Sequence, residues 1–143
     1  MEKFLRVDNH LLSEEEKRLT PYDQARLFWE RDWGKVEFDK AVANYCSNGA
    51  YLNTSPNSFL LMKLVRLDAD LEKICNPFFL FDKSEVNCVF IVQMAGDLSH
   101  GFRNVPKELQ FGYPYVSALR GGKYVYWKYS NLDRLIKGSF DKI

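Results

Sequence analysis

The sequence predicts an α+β fold: an N-terminal helical pair, then a mostly antiparallel sheet of about five strands with a central helix and a C-terminal helix. Three observations carry this. Apolar residues recur at helical spacing as far as Asn48-Gly49. Beyond that point they form short runs and alternations of strand length. Turn formers at Thr54–Asn57 and at Gly121-Gly122 each stand between two such stretches, which is the pattern of a hairpin.

The elements follow in order. Phe4, Leu5 and Val7 suggest a short strand or an extended lead-in. Ser13 and Glu16 have the spacing of a capping box, in which the hydroxyl caps the first turn and the carboxylate reaches back. Thr20 followed by Pro21 is a helix start, and Ala25, Phe28, Trp29 and Trp33 then share one face until Gly34. Phe38, Ala41, Val42, Tyr45 and Cys46 form the apolar stripe of a second helix, closed by Asn48-Gly49. These two stripes predict that Phe28, Trp29, Phe38 and Val42 are buried. Ala50–Asn53 and Ser58–Arg66 read as a hairpin whose second strand is apolar on both faces and hence central. Leu67–Ile74 reads as a helical turn capped by Asp68, and Pro77–Phe81 as a strand or a core-filling loop. Cys88–Met94 is a buried strand, and Asp97 or Ser99 caps a helix after it on which Leu98, Phe102 and Val105 share a face up to Pro106. Tyr113–Leu119 and Lys123–Tyr129 form the second hairpin, and Asn131–Lys137 a last helix.

Composition bounds the function. A chain of 143 residues, 46% hydrophobic and 15% aromatic, is enough for one well-packed domain spanning 1–143 and is not the composition of a disordered chain. Twenty basic residues against nineteen acidic ones leave a net charge of +1, so the phosphate-neutralising surplus of a nucleic-acid binder is missing. The start MEKFLRVDNH lacks the basic and apolar regions of a secretory signal, and no apolar run approaches the ~20 residues of a membrane span. Cys46, Cys75 and Cys88 are an odd number in apolar surroundings, which points to reduced thiols and a cytoplasmic protein.

The residues exclude several chemistries. The three cysteines and the two histidines, His10 and His100, nowhere have zinc-ligand spacing. Neither phosphate-binding glycine motif is present, and Gly121-Gly122-Lys123 lies between strands instead of opening a helix. Asp68, Asp70 and Glu72 lack the central Gly and terminal Glu of a calcium loop, and acids collect at helix starts in any case. A nucleophilic Cys75 or Cys88 would need His100 in space. No cofactor and no metal is expected.

Two constellations remain. Asp97, Ser99, His100 and Arg103 crowd the strand-to-helix junction, and Asp97 and His100 are the candidate catalytic residues. Adjacent positions on one helix start point in different directions, so a Ser99-His100-Asp97 triad fails and capping explains Asp97 and Ser99. On the second hairpin, Tyr113, Tyr115, Tyr124, Tyr126 and Trp127 form a candidate interaction surface, because Tyr and Trp anchor interfaces. The same aromatics with Arg120, Lys123 and Lys128 would suit a single-stranded nucleic-acid binder, a reading that the balanced charge disfavours.

The order of elements resembles the GCN5-related N-acetyltransferase layout. The stretch FDKSEVNCVFIVQMAGDLSHGFRNVPKEL, residues 81–109, is similar to the corresponding region of toxin-activating acyltransferases and of small phage-encoded acetyltransferase-like proteins. The resemblance implies a coenzyme A loop at that junction, built from glycines whose amides hold a pyrophosphate. Here the junction reads Met94-Ala95-Gly96-Asp97-Leu98-Ser99; only Gly96 matches in kind, and Asp97 places a carboxylate where phosphates would sit. The expectation is therefore a small, soluble, non-catalytic protein-binding or structural accessory domain on a degenerate acetyltransferase-like fold. The resemblance implies a phage or mobile-element origin, cytoplasmic or virion-associated. Its partner is expected to be another protein or a second copy, with no membrane and no nucleic acid. The alternative is a divergent acyl-CoA-dependent acyltransferase, with His100 or a tyrosine as acid/base and Asp97 orienting it.

Overall fold

Ser13 and Glu16 form the reciprocal pair that their spacing predicts. The Ser13 amide donates to Glu16 Oε1 at 2.8 Å and the Glu16 amide to Ser13 Oγ at 3.1 Å. The computed structural model describes residues 12–33, 37–97, 105–113, 115–120 and 123–128. The lead-in at Phe4–Val7, the helix start at Leu98–His100, Gly121-Gly122 and the last helix at Asn131–Lys137 lie outside these residues.

The capping box feeds a 3-10 turn at Glu16–Arg18, and α1 follows over Pro21–Trp33. Thr20 caps α1 as expected, its Oγ1 accepting from the Asp23 amide at 3.2 Å. The side chain of Gln24 is buried and ties the lead-in down, donating to the carbonyls of Lys17 and Leu19, each at 3.2 Å. Helix α2, Phe38–Ser47, ends at Gly49, whose φ of +88° is the left-handed conformation a terminal glycine supplies without strain.

The helical pair packs as its stripes predict. Phe28, Trp29, Phe38 and Val42 are between 3% and 7% exposed. Tyr22, Phe38 and Phe59 form an aromatic chain with centroids 5.3 to 5.6 Å apart, which seats both helices on the sheet.

The sheet has the spatial order β1-β2-β3-β4-β5, with β1 Tyr51–Thr54, β2 Ser58–Val65, β3 Cys88–Gly96, β4 Tyr115–Arg120 and β5 Lys123–Lys128. Ser55 Oγ accepts from the amides of Asn57 and Ser58 in the turn that joins β1 to β2. β2 lies between two partners and is buried along almost its whole length, the central position that its two-sided apolar sequence predicts. By alternation Phe59, Leu61, Lys63 and Val65 share one face. Phe59 and Leu61 lie under the helical pair, and Val65 packs with Ile74, Cys88 and Phe90.

The neighbouring strands are antiparallel except for β3 and β4, which are parallel. Two parallel strands cannot be joined by a tight turn, and the chain from Asp97 to Pro114 makes the crossover, carrying the short helix α4 at Lys107–Phe111. The β2–β3 register jumps from Leu61↔Gln93 to Met62↔Ile91, which leaves Val92 as the extra residue of a bulge. Pairing of β3 with β4 runs from Cys88 to Ile91 and stops there.

Between β2 and β3 the elements differ from expectation. The turn predicted over Leu67–Ile74 is a helix, α3, at Leu71–Cys75, and its cap is Asp70, not Asp68. Asp70 Oδ1 accepts from the Glu72 amide at 3.1 Å, whereas Asp68 is held by Arg66 Nε at 2.6 Å. Asp70→Ala should therefore lose ~1 kcal/mol in urea unfolding and Asp68→Ala clearly less. A larger loss at Asp68 would return the cap to that residue. Pro77–Phe81 is a loop, not a strand. Phe79 and Phe81 stack at 4.9 Å, while Phe78 and Leu80 are 66% and 63% exposed.

Candidate functional site

The end of β3 is tightly packed at Gly96. Gly96 has φ +84°, and a Cβ placed on it would stand 2.5 Å from the Asn57 carbonyl oxygen and 3.0 Å from Pro21 Cγ. The Asp97 amide donates to that same Asn57 carbonyl at 2.7 Å. The end of β3 is thus pinned to the β1–β2 turn and to the start of α1, and the first amide an anion would need is already engaged. Asp97 is exposed, and its intended partner His100 lies outside the described residues.

The aromatic hairpin is divided. Tyr115 is half-buried and packs against the cluster of Val65, Ile74, Cys88 and Phe90, and Tyr113 is half-buried beside it in sequence. Tyr124, Tyr126 and Trp127 occupy backbone positions on β5 opposite Leu119, Ser117 and Val116, and their side chains are outside the description.

A cleft of about 540 Å³ opens elsewhere, between α2 and the segment that follows α3. That volume is in the range of ligand and anchor pockets. One wall is the helical stripe Glu37, Lys40, Ala41, Asn44 and Tyr45. Cys75, Pro77 and Phe78 form the other, with Trp29 of α1 also lining it. The lining is mostly apolar, and the charged groups come from α2 and the residue before it.

The far wall is held from beneath. The Tyr45 hydroxyl donates to the Cys75 carbonyl. Lys63, in the middle of β2 and 6% exposed, donates from Nζ to the carbonyls of Lys73 at 3.0 Å, Ile74 at 3.1 Å and Asn76 at 2.6 Å. A buried ammonium has three protons to place, and the end of a short helix has carbonyls without intrahelical partners. Each satisfies the other. Burial pushes the Lys63 ammonium down to about 8, with Cys75 opposing, and the ring of Phe81 lies 5.5 Å from Nζ.

The titrating groups around the cleft are not those of a nucleophilic site. Burial pushes the Cys75 thiol up, only partly offset by Lys63, and burial likewise pushes the Tyr45 phenol up. Both stay protonated at neutral pH, and a protonated thiol is a poor nucleophile. Cys88 is fully buried, its Sγ donating to Ser117 Oγ at 3.1 Å, and all three cysteines are free thiols. Among the described residues no group of three or more His, Cys, Asp or Glu side chains could hold a metal ion, and no helix is long and apolar enough to cross a membrane.

Sequence reasoning missed this cleft. The signal was present in two places: a lysine inside an otherwise apolar central strand, and the run Pro77-Phe78-Phe79-Leu80-Phe81, which has more large apolar residues than one loop can bury. No family model matches the chain, and neither does any curated protein or solved structure.

Proposed function

We propose that the protein is a non-catalytic binding domain that engages another protein through the cleft and the ledge beside it. The observation that carries this is the exposure of Phe78 and Leu80, at 66% and 63%, next to a mostly apolar cleft. Side chains of this kind, left in water beside a preformed groove, are what an interface anchor or its receptor looks like. The chain that leads into their loop is fixed, since Tyr45 and Lys63 bond the carbonyls of Cys75 and Asn76.

Phe78 and Leu80 contribute little to folding, so the double variant Phe78→Asp/Leu80→Asp should melt within a few degrees of the wild type. Displayed random peptides panned on the wild type should enrich sequences with aromatic or aliphatic anchors, and the variant should enrich none. Equal enrichment on both proteins, or none on the wild type, would remove this reading.

A second reading, an acyl-CoA-dependent acyltransferase, is favoured by one observation. β3 and β4 are parallel and stop pairing at the Val92 bulge, and ligands of α/β sheets bind where parallel strands part at their carboxyl ends. Against it stands the Asp97 amide, already bonded to Asn57. Saturating acetyl-CoA should leave the melting temperature unchanged. An upward shift that is lost when the 3′,5′-ADP portion is omitted would promote the acyltransferase instead.

A further inference from the structure

We propose that the charge of Lys63 regulates the cleft: the ammonium form holds the loop of residues 76–81 in place beside it, and the neutral amine releases that loop. This rests on the protein-binding reading above and adds the regulation of the same site.

Helix α3 ends with two carbonyls that need a donor from elsewhere. Four residues beyond Lys73 stands Pro77, which has no amide to offer. Four residues beyond Ile74 stands Phe78, whose amide is already given to Asn76 Oδ1 at 2.9 Å. Lys63 Nζ supplies both bonds from the sheet, at 3.0 and 3.1 Å, and places its third proton on the Asn76 carbonyl at 2.6 Å. Three protons meet three carbonyls, and the match fails when one proton is lost.

The neutral amine keeps two N–H groups and gains a lone pair. The Asn76 carbonyl retains the Phe79 amide at 3.2 Å, whereas Lys63 is the donor to the other two. The two N–H groups therefore stay with Lys73 and Ile74, because an orphaned buried acceptor is costly. The lone pair is left facing the Asn76 oxygen, and that contact opens. A second hold weakens with it, since the Phe81 ring lies 5.5 Å from Nζ and attracts only the cation. Asn76 then carries Pro77 and Phe78, two residues of the cleft wall, away from their places. Phe78 and Leu80 are 66% and 63% exposed, so little packing opposes the movement.

No acid keeps the proton on. Among the described residues Lys63 is in no ion pair. Cys75 of α3 is the titrating group that acts on it, and Tyr45 of α2 turns its hydroxyl to the Cys75 carbonyl. The Lys73 ammonium lies over the ring of Phe79 at 5.4 Å. Phe90, opposite Lys63 on β3, is apolar, and Tyr51 of β1 pairs with Met62 and so belongs to the other face. Burial brings the change of charge to about 8, just above neutrality.

The test is a carbon-13 titration of the full chain by nuclear magnetic resonance, one unit either side of that value, with label in the lysine ε-carbons, leucine methyls and phenylalanine rings. The Leu80 methyls and the Phe78 ring should shift with the midpoint of the Lys63 ε-carbon, and should stay flat in Lys63→Met. Cys75→Ser should keep the shift, which separates the amine from the thiol beside it. The displayed peptide most enriched on the wild type, synthesised with a blocked amino terminus, should bind about tenfold more weakly at the upper end of the range than at the lower, as the clamped fraction falls to roughly a tenth. Its affinity for Lys63→Met should not change with pH.

Leu80 and Phe78 signals that stay flat while Lys63 titrates, that shift equally in Lys63→Met, or that stop shifting in Cys75→Ser would overturn the clamp. A peptide affinity unchanged across the range would overturn the regulation and leave the protein-binding reading standing. Enrichment of no peptide on the wild type would end the protein-binding reading and with it the regulation, even where the titration shows the loop released.

Discussion

Trp29→Ala should lower the unfolding free energy by ~3–5 kcal/mol, the loss that follows truncation of a large buried aromatic. Trp29 is 6% exposed and its ring lies 5.8 Å from that of Phe38. Phe38 in turn meets Phe59 on β2 at 5.6 Å. The indole therefore has three positions at once: it lies on the inward stripe of α1, it meets α2 through Phe38, and it lines the cleft. Its removal leaves a hole that the two helices cannot close without breaking the aromatic chain to the sheet. Urea unfolding followed by far-ultraviolet circular dichroism would show the midpoint falling with the slope unchanged. Trp29→Phe, which keeps an aromatic ring in the site, should lose less than half as much. An unchanged midpoint in Trp29→Ala would mean that α1 does not pack on its apolar stripe.

What the sequence made legible is what local periods and three-residue spacings encode. The inward faces of α1 and α2 follow from the helical repeat, and the caps at Ser13–Glu16 and Thr20 depend only on near neighbours. β2 was legible as a central strand because both of its faces are apolar. The cap of α3 was not, because Asp68 and Asp70 stand two residues apart, and which one caps depends on Arg66 capturing the first of them. The parallel pairing of β3 and β4 depends on where the crossover returns, which no strand pattern records. Lys63 is the clearest case. Its partners are carbonyls of Lys73, Ile74 and Asn76, so a residue that looks misplaced in its own strand is explained only by a segment ten or more positions away. The cleft depends on that clamp and was hidden with it.

The stability advantage of the wild type over Lys63→Met should grow as pH rises from 8 to 10.5. Lys63 is held at about 8 in the native protein against its ordinary 10.5, chiefly by burial. Between those values the unfolded chain carries a proton that the native chain has released, so raising the pH favours the native state. The gap corresponds to ~3 kcal/mol at most. The wild-type curve alone would not display this, because other groups pull the opposite way. The thiols of Cys46 and Cys75 and the phenol of Tyr45 are pushed up by burial, so above their ordinary values unfolding releases protons and stability falls. Subtracting Lys63→Met cancels most of that loss. The loss of Lys63's influence on Cys75 raises that thiol further in the variant, which moves the difference in the same direction. At pH 7 the variant should already be ~2 kcal/mol less stable. The carbonyls of Lys73 and Ile74 lose their donor, whereas that of Asn76 keeps the Phe79 amide at 3.2 Å. Removal of the buried ammonium offsets part of that loss at pH 7 and none of it at 10.5, where the native amine is neutral. Urea unfolding of both proteins at several pH values measures the difference directly. A difference flat from pH 7 to 10.5 would mean that Lys63 titrates at its ordinary value and that its three carbonyls, not its burial, decide its charge.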